Sequence, residues 1–290
     1  MLRRGFVGLL TCACLAILAG CQSGPVVGGQ PRAKMMPQVI SLSPSTTELT
    51  SKFDVNQNLI GRTANCNFPT TTISSAEVVM DGTAPDYEKI AALKPDVVIY
   101  DKSLFSESEI SKIDQLGIKT VAWDPLTFED YRRQLFTMAS AIGGEMTTSE
   151  YIDSIFRGFA QARGVLAEKG IEKPGMMFLI GQPGSYLAPG SESFWADILR
   201  QCGVNPVGPS GKAFAPINVE AMIQADPQVI FTSTGVGTKI LGDPRLQSVA
   251  AVKNKRVYEV ETDVLVRRGS RVEMLVDSIG VAIGKLRAQN

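Results

Sequence analysis

A helix-turn-strand pattern occurs twice in this 290-residue chain. Residues 86–101 read DYEKIAALKPDVVIYD, and residues 218–233 read NVEAMIQADPQVIFTS. In each copy a glutamate, Glu88 or Glu220, stands seven residues before a proline, and an apolar segment follows the proline at once. An Asp or Asn in front of the first helical residue is typical of a helix N-cap. A short helix that leads directly into an apolar, β-branched strand is typical of parallel α/β layers, so two copies predict two such layers.

The segments around the repeat support this interpretation. Strands are expected at 38–42, 59–61, 96–100, 118–123, 176–180, 186–188, 229–232 and 257–260, with helices between them. One longer helix separates the two groups, from the capping-box signature Thr147-x-x-Glu150 to a stop at Lys169-Gly170. Its apolar residues share one face: Ile152, Ile155, Phe156, Phe159 and Leu166.

The predicted fold class is therefore α/β: two lobes with parallel-sheet layers, joined by a single long helix, with a ligand cleft between the lobes. The predicted boundaries are 1–20 for a signal peptide, 21–37 for a tether, 38–143 for the first lobe, 144–172 for the linking helix and 173–290 for the second lobe.

The composition excludes several kinds of site. The chain has no histidine, which removes Ser-His-Asp and Cys-His catalysis and any histidine-ligated metal. Lys+Arg and Asp+Glu number 29 each, so charge gives no reason to expect a nucleic-acid partner. We expect a protein that is not an enzyme, with no resident cofactor and no metal site.

The first twenty residues have the pattern of an export signal. Arg3 and Arg4 precede an apolar run at 6–19 that is too short for an ordinary membrane-spanning helix. The run ends in Leu-Ala-Gly-Cys at 18–21, which resembles the lipobox of bacterial lipoproteins. The resemblance implies cleavage before Cys21 and a lipid on its thiol; the alternative is an ordinary signal peptide with an incidental cysteine. Of the remaining cysteines, Cys66 and Cys202 could pair in an exported protein, but free thiols are favoured, because a bridge would tie the two halves together.

Four segments resemble one known family: VISLSPSTTEL (39–49), NCNFP (65–69), EKIAALKPDVVIY (88–100) and VEAMIQADPQVIF (219–231). They are similar to the substrate-binding lipoproteins of ABC importers for cobalamin and ferric siderophores, the helical-backbone or class III periplasmic binding proteins. The resemblance implies an exported monomer, lipid-anchored to the cell membrane or to the periplasmic face of an envelope membrane. It also implies a metal chelate as ligand, and a permease and ATPase complex as partner.

In that family each lobe presents a glutamate to arginines of the permease, and these acids correspond to Glu88 and Glu220. The alternative is local: a carboxylate in the first helical turn stabilises its helix by about 0.3–1 kcal/mol. The repeat together with the resemblance favours docking.

Ligands of open parallel sheets lie beyond the carboxyl ends of the strands. The candidate ligand-binding residues are Ser43, Ser45, Asn65, Cys66, Phe68, Trp123, Tyr186, Thr232, Arg267 and Arg268, with Asp101, Gln182, Thr234 and Asp263 also within reach. Each has a structural alternative: Trp123 as a core residue, Cys66 as a small apolar residue and Phe68 as a loop anchor.

The segment Arg267-Arg268-Gly269-Ser270-Arg271 departs from the family, which often has Arg-Pro-Gly-Pro-Arg at this place. Without the prolines it should be less rigid and more basic. Two interpretations are open: a solvated basic turn, or a contact to a ligand carboxylate or phosphate.

Three functions follow as hypotheses. The first is a binding protein that delivers a corrinoid, or alternatively a ferric siderophore or haem, to an importer. The second is a surface-anchored chelate-processing enzyme, which the lack of histidine and of a Gly-x-Ser-x-Gly elbow disfavours. The third is a ligand sensor. Aromatic side chains would suit a corrinoid and arginines an anionic siderophore; the likeness at 39–49 and 65–69 favours the corrinoid.

Overall fold

The computed structural model describes residues 36–53 and 58–287, which belong to one compact unit that begins at Met36. The predicted signal peptide, the lipidation site Cys21 and all but the last two residues of the predicted tether lie outside the described residues. None of the described helices combines the length and the apolar character needed to cross a bilayer.

The first sheet has the strand order β3-β2-β1-β4-β5, and all its pairings are parallel. Its strands are β1 (Val39–Ser41), β2 (Leu59–Thr63), β3 (Glu77–Met80), β4 (Val97–Asp101) and β5 (Lys119–Trp123). Its helices are α1 (Pro44–Lys52), α2 (Thr70–Ile73), α3 (Tyr87–Leu93), α4 (Glu107–Gln115) and α5 (Phe128–Ile142), with a 3-10 turn at Lys102–Leu104. Every residue of β1 and β4 is buried, as continuous apolar runs predict for central strands of a parallel sheet.

The linking helix α6 (Glu145–Glu168) has 24 residues, a length of about 36 Å. It begins two residues before the predicted Thr147, so the capping-box prediction at Thr147-x-x-Glu150 is wrong. The chain leaves α5 through Gly143 and Gly144, both at positive φ (77° and 155°), and re-enters a helix immediately. A Cβ on Gly144 would lie 2.8 Å from Cβ of Phe53, so glycine is required at this corner.

The second sheet has the order β11-β10-β6-β7-β9, with β8 paired to β6. Its strands are β6 (Gly175–Gln182), β7 (Ser185–Pro189), β8 (Asn205–Pro206), β9 (Phe214–Ile217), β10 (Val229–Ser233) and β11 (Val257–Val260). Its helices are α7 (Phe194–Gln201), α8 (Val219–Ala225), α9 (Gly237–Gly242), α10 (Ala250–Lys253), α11 (Thr262–Val266) and α12 (Val272–Gly284), with a 3-10 turn at Pro244–Leu246.

This second sheet is not wholly parallel. β7 is antiparallel to β6, because the two residues Pro183-Gly184 turn the chain straight back into a hairpin, and it is also antiparallel to β9 on its other side. The other pairings, β6 with β8 and β10 and β10 with β11, are parallel. The predicted α/β class, two sheets of mostly parallel strands with helices, is confirmed.

One hydrophobic cluster extends from the first sheet to the second. It contains Leu49 and Trp123 from the first half, Phe159 from α6, and Phe178 and Ile279 from the second half. The buried residues of α6 recur at helical spacing: Tyr151, Ile152, Ile155, Phe159, Ala162 and Leu166. The predicted apolar face is therefore present, with Phe156 at its half-exposed edge, where its ring packs edge-on against Phe128. Helix α6 packs against both α5 and α12, so it is held by its apolar face.

Cys66 and Cys202 are buried and unpaired, which confirms the predicted free thiols.

Burial raises the pKa of Cys202 to about 12, although the charge of Arg163 acts to lower it. Since the thiolate is the nucleophile, very little of the Cys202 side chain is in the reactive form at pH 8. We expect native Cys202 to resist iodoacetamide at pH 8 and to react about a thousandfold faster in denaturant, measured by mass spectrometry. Rapid labelling of Cys202 in the native protein would contradict this.

Candidate ligand-binding cleft

The two copies of the sequence repeat form the same local structure. Asp86 caps α3 by accepting a hydrogen bond from the backbone N–H of Lys89 at 2.9 Å, and Asn218 caps α8 by accepting from Ala221 at 2.8 Å. Both helices have seven residues. Both end at a left-handed residue, Lys94 or Asp226, before the proline that leads into a buried strand.

Glu88 and Glu220 occupy the second position of these helices, and both are exposed. Each helix begins at the carboxyl edge of its sheet: the N–H of Asp86 donates to the carbonyl of Val79 near the end of β3, and α8 follows β9 directly. Within the described residues, neither carboxylate makes a hydrogen bond or a salt bridge, although Arg245 lies within electrostatic reach of Glu220. The repeat thus places one free carboxylate at the carboxyl edge of each sheet.

The carboxyl edges of the two sheets face each other and are bonded together through the segment 261–271, which follows β11. The amide of Asn67, in the loop after β2, donates to Asp263 on α11 at 2.9 Å, and its carbonyl oxygen accepts from Nη1 of Arg267 at 2.6 Å. We use the term candidate cleft for the space between these edges, bounded by the loop 64–69, the ends of β4 and β5, and the segment 261–271. It is the place where strand polarity predicts a ligand.

The floor of the candidate cleft is a buried ion-pair network centred on Glu48 of α1. The Glu48 side chain is fully buried. Its Oε1 accepts from Nη2 of Arg271 at 2.8 Å and from Nη1 of Arg267 at 3.1 Å, and its Oε2 accepts from Nε of Arg271 at 3.2 Å. A Cβ on Gly269 would lie 2.4 Å from Oε2 of Glu48, so only glycine lets this backbone approach the carboxylate.

The third arginine joins the same segment to the first sheet. Nη2 of Arg268 donates to both oxygens of Asp101 at 2.8 and 3.0 Å, at the end of β4. Its Nη1 donates to Asp124 at 3.0 Å and to the carbonyl of Pro125 at 2.9 Å, after β5.

Two tyrosines bond the backbone of the same segment. Tyr131 donates to the carbonyl of Gly269 at 2.7 Å, and Tyr151 donates to that of Ser270 at 3.1 Å. Burial, the neighbouring Tyr151 and the charge of Glu48 raise the pKa of Tyr131 well above its ordinary value, so its hydroxyl remains protonated.

These contacts exclude one interpretation of the segment Arg267–Arg271. It is not a loose, solvated basic turn, because Arg268 and Arg271 are 7% and 5% exposed and their guanidinium groups are paired with carboxylates. Burial alone would lower the pKa of Arg271, but the hydrogen bonds and charges of Glu48 and Glu261 raise it overall. The lower rigidity of the segment stays a prediction; where the family often has prolines, buried ion pairs and hydrogen bonds contact this backbone and its side chains.

Most of the other candidate ligand-binding residues are buried in this conformation. Ser43 caps α1, accepting from the N–H of Thr46 at 3.1 Å, and Ser45 lies in that helix. The thiol of Cys66 contacts the hydroxyls of Thr47 and Thr63 at 3.1 and 3.2 Å. Trp123 and Thr232, in β5 and β10, are fully buried, and the ring of Trp123 lies edge-on to that of Tyr131 with 5.1 Å between the ring centroids. Tyr186 packs in the hydrophobic core of the second sheet.

Four of the candidate or nearby residues are exposed: Asn65, Phe68, Gln182 and Thr234. The ring of Phe68 lies against the guanidinium of Arg271, 4.8 Å from its carbon to the ring centroid, and 41% of the residue remains open. Among the candidate and nearby residues, one aromatic ring, two amide groups and one hydroxyl are therefore exposed. Within the described residues no group of three or more Asp, Glu, Cys or His side chains is arranged to hold a metal ion.

Sequence reasoning missed the acidic members of the network: Glu48, Asp124 and Glu261. One signal was available, since three arginines within five residues require counter-charges if they are buried. It could not identify Glu48, whose partners follow 219 and 223 residues later.

Comparisons with known proteins agree with this geometry. A family model described as periplasmic binding protein matches residues 39–264. The ABC transporter substrate-binding lipoprotein YvrC of Bacillus subtilis is 26% identical over 252 residues, which cover 83% of this chain and 79% of that protein. The vitamin B12-binding protein of Salmonella typhi is 24% identical over 202 residues, 69% of this chain and 74% of its own length. A periplasmic haem-binding protein from Pseudomonas aeruginosa has the same fold, with a TM-score of 0.72 at 18% identity over 87% of this chain and 95% of its own.

The matched region contains both copies of the helix-turn-strand repeat, the linking helix and most of both sheets. The resemblance drawn from the four sequence segments is thus confirmed, and the chain belongs to the periplasmic binding protein family.

Proposed function

We propose that this protein captures a metal chelate, a corrinoid in preference to a ferric siderophore or haem, and delivers it to the permease of an ABC importer. The family makes it a substrate-binding protein of the type that serves chelates of the vitamin B12, siderophore and haem kinds. The observation that carries the proposal is the facing pair of carboxyl edges, each with one exposed carboxylate of the repeat beside it.

The corrinoid is supported by the vitamin B12-binding relative and by the groups that the candidate cleft leaves open. A corrinoid has apolar faces and neutral amide side chains, which match an aromatic ring and amide partners. Phe68 and Asn65 are the candidate ligand-binding residues exposed in this conformation. Arg267 and Arg268, which an anionic siderophore would use, are already paired with carboxylates.

Glu88 and Glu220 are proposed as the permease-docking residues. Each lies at the carboxyl edge of its own sheet, which is the edge that bounds the candidate cleft. A permease that contacts both would therefore face the cleft, and released ligand would have a short path into the transporter. Two lobes with one glutamate each would match two permease subunits.

Cys21 is proposed as the lipid anchor, and a lipoprotein among the relatives supports it. The mass of the mature N-terminus tests this: an unmodified Cys21 would contradict it.

The function is tested by calorimetric titration of the purified protein with cyanocobalamin, haem and several ferric siderophores. We expect one cyanocobalamin per chain, bound at least about tenfold more tightly than the others, and recovered chemically unchanged. Phe68→Ala should weaken binding by roughly 1–3 kcal/mol, since it removes a partly exposed aromatic wall. Asn205→Ala, an exposed change in β8 on the second sheet, should not.

Three results would contradict the proposal. Absence of binding to every chelate would reject the carrier function. Tighter binding of haem or of a siderophore would assign that chelate as the ligand in place of the corrinoid. Conversion of the chelate during incubation would favour the enzyme hypothesis instead.

A further inference from the structure

We propose that the ion-pair network at the floor of the candidate cleft selects ligands by charge: it accepts neutral or cationic chelates and rejects polyanionic ones. This inference rests on the proposed chelate-binding function and specifies the class of chelate. It follows from the charges and exposures of the eight side chains in the network.

The network contains more acids than bases. Three arginines, Arg267, Arg268 and Arg271, form salt bridges with five carboxylates: Glu48, Asp101, Asp124, Glu261 and Asp263. The network therefore has two uncompensated negative charges. Each arginine contacts at least two carboxylates, so none of them has spare positive charge for an anionic ligand.

Two of the five acids are also the most accessible members of the network, although Glu48 and Asp101 are buried. The side chains of Glu261 and Asp124 are 63% and 40% exposed, whereas those of the three arginines are 13%, 9% and 6% exposed. We therefore expect a ligand that approaches the floor to meet the carboxylates of Glu261 and Asp124 before the more deeply buried guanidinium groups. A site walled by protein focuses this negative potential, because less water screens it than at an open surface.

A ligand carboxylate would gain little by displacing a protein carboxylate. To bind Arg271 or Arg267, a ligand carboxylate would have to break the ion pair between that arginine and Glu48. Glu48 is fully buried, so it would be left with fewer partners. Leaving a buried charge unpaired is strongly unfavourable.

One basic side chain, that of Lys102, lies near the network. Lys102 follows Asp101 directly and is exposed, and within the described residues its side chain makes no hydrogen bond or salt bridge. A single flexible ammonium in water does not reverse an excess of two negative charges. Charge selection therefore depends chiefly on the exposed acids Asp124 and Glu261.

The experiment uses two series of ligands whose members differ chiefly in charge. Cyanocobalamin is compared with its mono- and dicarboxylic acids, in which side-chain amides are hydrolysed. Ferrioxamine B, a cation, is compared with its N-succinyl derivative, an anion. Affinities are measured by calorimetry at low and high salt.

We expect each added negative charge to weaken binding roughly fivefold to tenfold at low salt, and less at high salt. The double variant Asp124→Asn/Glu261→Gln should remove most of this difference. The matched control Glu150→Gln/Glu168→Gln loses the same charge at two exposed positions of α6 and should keep the full difference.

Three outcomes would overturn the inference alone, and the first two are binding of cobalamin that does not weaken as carboxylates are added, and a charge dependence that the double variant leaves intact. Tighter binding of ferric dicitrate than of any neutral chelate would also overturn it, while the chelate-carrier function would remain. If the protein binds no member of either series and neither haem nor ferric dicitrate, the proposed function fails, and the inference fails with it.

Discussion

Replacement of Glu48 by Ala is expected to destabilise the protein by about 3–5 kcal/mol, a large part of the total stability of an ordinary domain. The change removes the buried carboxylate that pairs with Arg267 and Arg271 and leaves two guanidinium groups with fewer partners in a low-dielectric interior. It also opens a gap against Gly269, whose backbone packs directly on the carboxylate. Urea unfolding followed by circular dichroism measures the loss.

Two variants separate charge from packing. Glu48→Gln keeps the volume and removes the charge, so it should still cost several times more than Glu261→Gln. The latter changes another partner of Arg271, but at a 63% exposed position, where an ion pair contributes about 0–1 kcal/mol. Equal effects of Glu48→Ala and Glu261→Gln would show that burial does not determine the strength of this network.

The charge reversal Glu88→Lys/Glu220→Lys is expected to abolish binding to the permease while ligand affinity stays nearly unchanged. Each glutamate that faces a permease arginine becomes a like-charge pair, which costs several kcal/mol at an interface and slows association. Loss of a first-turn carboxylate costs the helix only about 0.3–1 kcal/mol, so the folded protein should survive. Each single reversal should weaken binding, and the double variant should eliminate it. The measurement is binding of ligand-loaded protein to the permease complex in detergent or nanodiscs.

The matched control is Glu107→Lys, which reverses an exposed carboxylate in the first turn of α4, outside the repeat. It imposes a similar helix-end cost and should retain permease binding. Compensating Arg→Glu changes in the permease should restore part of the affinity to the double variant. If the double variant binds the permease with wild-type affinity, the docking role is rejected and both glutamates act only as helix-end charges.

The elements that the sequence predicted correctly depend on neighbours in the chain. Asp86 and Asn218 were recognised as caps because a cap bonds a backbone group three residues away. The start of α6 was misplaced because a capping-box pattern at Thr147 competes with two glycines whose role depends on contact with Phe53. The antiparallel β7 was not foreseen as such, since strand direction follows from the two-residue turn at Pro183-Gly184 and not from the apolar pattern.

The candidate site was predictable only in part, for the same reason. Strand polarity located it at the carboxyl edges, and the loop 65–68 and the segment 267–271 do meet there. Which of their side chains remain exposed depends on partners far away in sequence. Trp123 is the last residue of its strand, a position from which an aromatic ring could stack on a ligand. In the structure, however, the ring of Tyr131 from the next helix packs against it. The arginines were visible, but the carboxylates that neutralise them were not.

The distance along the chain between Glu48 and Arg271 has a consequence for biogenesis. The two residues are 223 positions apart, so the buried carboxylate of α1 has no partner until nearly the whole polypeptide is available. Closing so large a loop is slow compared with forming a local helix. A nascent chain that lacks its last twenty residues or so, and with them Arg271 and helix α12, therefore leaves Glu48 without that partner and the shared hydrophobic cluster incomplete. We therefore expect the native state to form only after the C-terminal segment with Arg271 is available.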